Sequence, residues 1–286
     1  MSNYDKSLEK EIPEIKESST GKESELDVSA SMSIIQTQGG RWKLVSGIVI
    51  VAIVVMGGWE LLVRLFNIPE YVFPPPSKIV VALVTSLPNI YPHFFVTLGE
   101  LVSGFIIGAS IGLVSAAILT QFPYIEKIIV PYIILAVMTP TIALVPLLML
   151  RLGFGIMPRI IAVSLAVGPM VMINTVTGFR RTDLAKIALA RSYGATTLQI
   201  FMKIRFPFAL PMITVGLLIG GIFGLITAVG SDLVGGKMGL GNKIAYYAAM
   251  ARMPNFFATI FLVSLIGVAI WIIITKMGQK WTNWKT

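Results

Sequence analysis

Residues 188–211 read ALARSYGATTLQIFMKIRFPFALP. The stretch holds Arg191, Lys203 and Arg205, no acid, Gly194 near its middle, and Pro207 and Pro211 at its end. Long, almost purely apolar runs lie on either side of it. It is too polar to cross a bilayer and too patterned to be a slack loop. Thr182 or Asp183 can start a helix with Leu184, Ile187, Ala188 and Arg191 on one face. Gly194 can take the left-handed conformation that ends it. Thr196 and Gln199 then form a T-x-x-Q capping box that opens a second helix. That helix carries Leu198, Phe201 and Met202 on one face, with Lys203 and Arg205 near its carboxyl end, where cations complement the dipole. Pro207 and Pro211 are expected to close it. The sequence thus predicts helix, glycine elbow, helix, between two membrane spans.

The rest of the chain sets that context. Of 286 residues, 55% are hydrophobic and 13% charged, with a mean hydropathy of +0.82; soluble domains carry about 25% charged residues. Apolar runs long enough for a ~30 Å hydrocarbon core recur, and the short alternating segments of a transmembrane barrel do not. The expected fold is all-α with six transmembrane helices, near 44–65, 95–119, 128–150, 158–177, 213–234 and 258–276. Between the first two, Ser77 is expected to cap a short interfacial helix that Pro88 and Pro92 stop. Residues 1–43 mix Lys with Glu, Ser and Thr and read as a disordered polar tail. Residues 44–94 hold the first span and an outer interfacial segment. Residues 95–278 form the core domain with a polar loop at 178–211, and 279–286 a short terminal tail.

The chain has no cysteine, which excludes disulfides and thiol chemistry. Its net charge of +9 reads as membrane orientation and not as nucleic-acid binding, because the cations cluster at span ends. With the amino terminus inside, the inner flanks carry twelve: Arg41, Lys43, Lys127, Arg180, Arg181, Lys186, Arg191, Lys203, Arg205, Lys276, Lys280 and Lys285. The outer flanks carry seven: Arg64, Lys78, Arg151, Arg159, Lys237, Lys243 and Arg252. Both termini and the elbow are therefore expected in the cytoplasm.

At this point the residues carry a resemblance. Ala190, Gly194, Ile204 and the Leu210-Pro211 pair match the pattern EAA-x(3)-G-x(9)-I-x(n)-LP. That signature resembles the permease subunits of binding-protein-dependent ABC importers. The full run, with WELLVRLFNIPEYVFPPPSKI (59–79), TPTIALVPLLMLRLGFG (139–155) and SDLVGGKMGLGNKI (231–244), is similar to their nitrate/sulfonate/taurine branch over about residues 58–274. The resemblance implies a type I importer permease in a prokaryotic plasma (inner) membrane. Its elbow is a coupling helix that docks on an ABC ATPase subunit, with Ala188, Ala190, Arg191, Ser192, Gly194 and Ala195 at or beside the contact. It also implies a homodimer and an extracytoplasmic solute-binding protein. The solute is an anion such as a sulfonate, taurine, nitrate or bicarbonate, or alternatively a pyrimidine precursor of thiamine, or riboflavin. The first motif position is usually Glu and is Ala188 here, so one usual polar contact is missing.

Gly104, Gly108 and Gly112, and again Gly216, Gly220 and Gly224, form small-residue stripes that let helices approach closely in lipid. Pro140 and Pro146 interrupt the third span, which places Thr139, Pro140 and Thr141 beside protein or a water-filled pore. Relatives in the branch carry an acid at Asp232, where it serves the outer mouth or pairs with Lys237. Arg151 attracts an anionic solute, pairs with Asp232 or meets lipid phosphate. Glu100 either stays solvated or pairs across helices. His93, the only histidine, forms no metal site. GSDLVGGK (230–237) imitates a phosphate loop, but its spacing is long by one residue and Met238 follows Lys237. No cofactor is expected in this chain; ATP and Mg belong to the partner ATPase. A secondary transporter remains the alternative of another class, but mid-span acids and internal repeats are not evident. Membrane-embedded enzymes need a catalytic constellation that is not found.

Overall fold

The computed structural model describes residues 41–282; of the expected tail at 1–43, residues 1–40 lie outside the described residues, as do 283–286, while 41–43 begin the first helix. The described residues form helices and connecting turns without a strand. In order these are α1 (Arg41–Leu65), α2 (Pro76–Leu119), α3 (Pro123–Met138), α4 (Thr141–Leu152), α5 (Met157–Arg180), α6 (Leu184–Ser192), α7 (Thr197–Ile200), α8 (Phe206–Gly235), α9 (Leu240–Ala249) and α10 (Met253–Thr282). Five stretches are long and apolar enough to cross a membrane, and the α3–α4 pair makes a sixth if counted as one broken span.

The chain divides into two compact units, Met1–Leu61 and Leu62–Thr286. In the first, the described part of α1 is an apolar helix with few buried residues. In the second, α5 is the central element. On one side Gly104, Gly108 and Gly112 of α2 press against it: a Cβ on Gly104 would lie 2.6 Å from the Val163 side chain, and one on Gly108 2.6 Å from the Ser164 carbonyl oxygen. Ser164 Oγ donates to the Gly104 carbonyl across this contact, 3.1 Å. On the other side stand Gly216, Gly220 and Gly224 of α8, where a Cβ would come within 2.9–3.0 Å of Asn174, Val171 and Val167. Both stripes are therefore used inside one subunit, against the same helix. Val163, Val167 and Val171 of α5, fully buried, form the centre of the core.

Three expectations about prolines are corrected. The segment before the second span is not a separate interfacial helix: α2 runs 44 residues straight through Pro88 and Pro92. Prolines four apart lie on one helix face, so the lost backbone bonds fall on a single side. The helix is held through this region by neighbours: Ile90 is fully buried, and the Ser86 hydroxyl accepts from Asn255 Nδ2. Ser77 does not cap it; Pro75 stands at the N-cap position without a side-chain bond. Nor do Pro207 and Pro211 separate the second elbow helix from the next span. Residues 201–205 form a π-helical turn in which the Phe206 N–H reaches the Phe201 carbonyl, and the chain continues into α8. The widened turn makes room for the Pro207 ring within the continuing helix. Finally, the third span is more than interrupted at Pro140: α3 and α4 meet at 87°. Pro131 and Pro146 sit within these helices, and neither breaks one.

Candidate functional site: an elbow, a buried charge cluster and a helix break

The elbow forms as the local chemistry dictates. Asp183 Oδ1 caps α6 by accepting from the Ala185 N–H at 2.8 Å. At the far end Gly194 has φ +77°, and the Ala195 N–H closes back on the Ala190 carbonyl at 3.0 Å. The capping box of α7 is complete: Thr196 N donates to Gln199 Oε1 at 2.8 Å, and Gln199 N to Thr196 Oγ1 at 3.3 Å. Ile187 and Ile200 turn inward, and the Phe179 and Phe201 rings pack 5.1 Å apart. Leu184, Leu189, Tyr193, Leu198 and Met202 are left exposed around the glycine. Ala188, Arg191 and Ser192 lie on this exposed surface, whereas Ala190, Ala195, Ile204 and Pro211 are half-buried. Nearby, Arg180 Nε reaches Glu126 Oε1 at 2.6 Å, tying α5 to the start of α3.

At the opposite end of α5 lies a constellation that sequence reasoning did not assemble. Arg159 is buried between two fully buried carboxylates: its Nη1 lies 2.5 Å from Glu100 Oε1 of α2 and 2.6 Å from Asp232 Oδ1 of α8. The same nitrogen donates to the Met238 carbonyl at 3.0 Å. Asp232 Oδ2 accepts from Thr97 Oγ1 at 2.6 Å, and Thr97 Oγ1 accepts from the Leu240 N–H at 2.7 Å. His93 Nδ1 accepts from the Gly239 N–H at 3.0 Å. Three spans are thus joined to the 236–240 turn. Gly239, at φ +123°, sits against the Asp232 carboxylate with no room for a Cβ. Of the open alternatives, Glu100 pairs across helices and is not solvated. Asp232 pairs with neither Lys237 nor Arg151, since Arg159 occupies it. Arg151 is exposed at the end of α4. Among the described residues no group of three or more His, Asp or Glu side chains is placed to hold a metal ion.

The third feature lies where α3 meets α4. A cavity of about 270 Å³ opens there, lined by Thr139, Pro140 and Thr141 at the break, by Leu165, Ala166, Pro169 and Met170 of α5 and by Phe223, Ile226 and Thr227 of α8. Thr141 Oγ1 and Thr227 Oγ1 approach to 3.5 Å across it. The cavity therefore contains the three expected break residues, and Arg151 and Asp232 are not among its lining residues.

Residues 108–283 match the sequence profile of the family described as "binding-protein-dependent transport system inner membrane component". The chain belongs to this family. A probable ABC transporter permease of Haemophilus influenzae is 29% identical over 80% of this chain and 93% of its own length. A formylaminopyrimidine transport permease of Halalkalibacterium halodurans is 25% identical over 79% of this chain and 91% of its own length. Permeases named for riboflavin transport in Chloroflexus aurantiacus and taurine transport in Escherichia coli are each 23% identical over 79% of this chain and 85% of theirs. Among solved structures, a chain of the MetNI methionine ABC transporter in inward facing conformations superposes with a TM-score of 0.59 at 18% identity, over 68% of this chain and 96% of that one. The fold is that of a type I ABC importer permease, and this chain is a multi-pass membrane component of such an importer.

Proposed function

We propose that this ABC permease works as a homodimer forming the translocation pore, with both termini and the elbow in the cytoplasm. An ABC ATPase subunit grips each elbow, and a solute-binding protein docks on the opposite side. The observation that carries this reading is the elbow: a capped, glycine-hinged turn that presents exposed Leu184, Leu189, Tyr193 and Leu198. Exposed apolar side chains on a rigid polar-loop scaffold fit a protein groove. Ala188, Ala190, Arg191, Ser192, Gly194 and Ala195 lie at or beside that contact. Ile204 and Pro211, in the turn and span behind it, complete the motif. ATP and Mg are held by the partner subunit, and this chain holds no cofactor. ATP-driven closure of the ATPases presses the elbows together and turns the pore outward to receive solute.

The imported solute is small. The branch resemblance supports an anion such as a sulfonate, taurine, nitrate or bicarbonate; the relatives named for formylaminopyrimidine and for riboflavin transport support a pyrimidine precursor of thiamine, or riboflavin, as the second reading.

The test is Gly194→Trp in the full transporter. A bulky side chain at φ +77° strains the turn by about 1–2 kcal/mol and obstructs the contact. Membrane insertion is expected to survive, while ATP-driven uptake falls at least tenfold and the ATPase no longer copurifies. Unchanged uptake with unchanged copurification would overturn the coupling assignment.

A further inference from the structure

Two polar atoms at the base of the elbow are buried with nothing to bond. They are Thr182 Oγ1 and Arg205 Nε, and neither has a hydrogen-bond partner among the described residues. Buried donors are rarely left so. Helix register brings the two residues to one place. A Cβ on Gly178 of α5 would touch Ala209 and Met212 of α8, and Gly216 faces Asn174. In this antiparallel register residue 182 falls level with 205–208. Ring packing agrees: Phe179 lies 5.1 Å from Phe201, and Lys186 Nζ lies 4.3 Å from the centroid of Phe208, one turn beyond Arg205. A buried hydroxyl, a buried guanidinium N–H and an ammonium group therefore converge where α5, α6 and the π-turn meet.

The charge around this junction is one-sided. Residues 180–205 carry Arg180, Arg181, Lys186, Arg191, Lys203 and Arg205 against a single acid, Asp183. Asp183 is spent on capping α6, and Glu126, which reaches in from α3, is held by Arg180. Among the described residues no carboxylate pairs with Lys186 or Arg205. The junction also stands at the edge of the apolar spans: α5 turns from Phe179 to Arg180 and Arg181, and α8 opens with Phe206, which is exposed. This is the level of lipid headgroups. A phosphate there has oxygens enough to accept from the Arg205 Nε–H, the Thr182 hydroxyl and the Lys186 ammonium together, and its charge answers the cations. Water would fill the hydrogen bonds and leave the charge unbalanced. Basic pockets between spans at this level suit anionic headgroups.

We infer that Thr182, Lys186 and Arg205 form a binding site for the headgroup phosphate of an anionic phospholipid. Exposed Phe206 offers the acyl chains a surface beside it. A lipid seated there ties the base of the elbow to the bilayer. The inference rests on the chain being a membrane protein and is independent of what grips the elbow at Tyr193 and Gly194.

The purified full chain in detergent is titrated with phosphatidylglycerol, or with phosphatidylcholine of the same acyl chains, and bound lipid is counted by native mass spectrometry. The chain is expected to hold phosphatidylglycerol at least tenfold more tightly than phosphatidylcholine, and excess inorganic phosphate should not displace it. Lys186→Gln, at an exposed side chain whose loss leaves the fold intact, is expected to weaken that binding about fivefold, the contribution of one cation beside an anionic lipid. Arg205→Gln and Thr182→Val should weaken it too, the second without changing any charge. Lys276→Gln, which removes an equal charge from the end of α10, should not. Equal retention of the two lipids overturns the inference. So does undiminished phosphatidylglycerol binding by Lys186→Gln or by Thr182→Val, or an equal loss in Lys276→Gln. Displacement by inorganic phosphate overturns the lipid as occupant and assigns the site to free phosphate.

Discussion

Arg159 shows how much one side chain can organise. It faces Glu100 and Asp232, two buried acids, and through Asp232 and Met238 it holds the turn that follows α8. Removing one partner of a buried charge cluster costs about 3–5 kcal/mol, because the remaining charge is stranded. Arg159→Met is therefore expected to lower the unfolding temperature of the detergent-solubilised protein sharply, and to release the 236–240 turn to proteolysis. Glu100→Gln should do much less. The Glu100 oxygens make an ionic contact to Arg159 without a well-aligned hydrogen bond, and its loss leaves Arg159 and Asp232 matched one to one. Thermal unfolding of the two variants side by side checks the order; equal losses would contradict it. Little of this cluster was legible in the sequence. Its three charged members lie far apart in the chain, each close to a span end, where single charges usually serve orientation. Only the pairing option for Glu100 pointed the right way. The caps and the glycine turn of the elbow, in contrast, were readable, because capping and the left-handed backbone of a glycine act within four positions; the continuation of the chain through Pro207 and Pro211 was not.

Among the elements, α5 carries the bundle. Glycines on α2 and α8 close on it from two sides, so these contacts depend on the absence of side chains. Gly108→Leu would drive a side chain into the Ser164 backbone and is expected to abolish recovery of folded protein from membranes. Gly99→Leu on the same helix meets nothing within 4 Å and should be tolerated. Size-exclusion profiles of the two variants report the difference, and similar profiles would show that the stripe is not a packing device. Sequence spacing revealed the stripes but not their common partner, since periodicity identifies a face and not what lies against it. Proline was the least informative residue. In water it stops helices, yet in this apolar bundle α2 and α8 continue through it, because packing neighbours and a π-turn absorb the missing bonds.

For the whole molecule, the internal use of both glycine stripes has a bearing on assembly. Faces consumed inside one subunit are not available between subunits, so the proposed homodimer must join elsewhere. Native mass measurement of the purified transporter is expected to give two copies of this chain with two ATPase subunits. Glycine-stripe variants that do fold should keep that stoichiometry, and a monomeric permease in an active transporter would contradict the proposal.

The π-turn at Phe201–Arg205 has one more consequence. It joins α7 to α8 without a break, so residues 197–235 form one continuous rod. At about 1.5 Å per residue the rod is nearly 60 Å long. Thr196, beside the elbow, stands at one tip, and Asp232, bound to Arg159, lies close to the other. A helix of this kind links its two ends without an intervening loop. A push of a few ångströms on the elbow is felt as torque at the Arg159 anchor, and stiffening that anchor raises the force needed to tilt the rod.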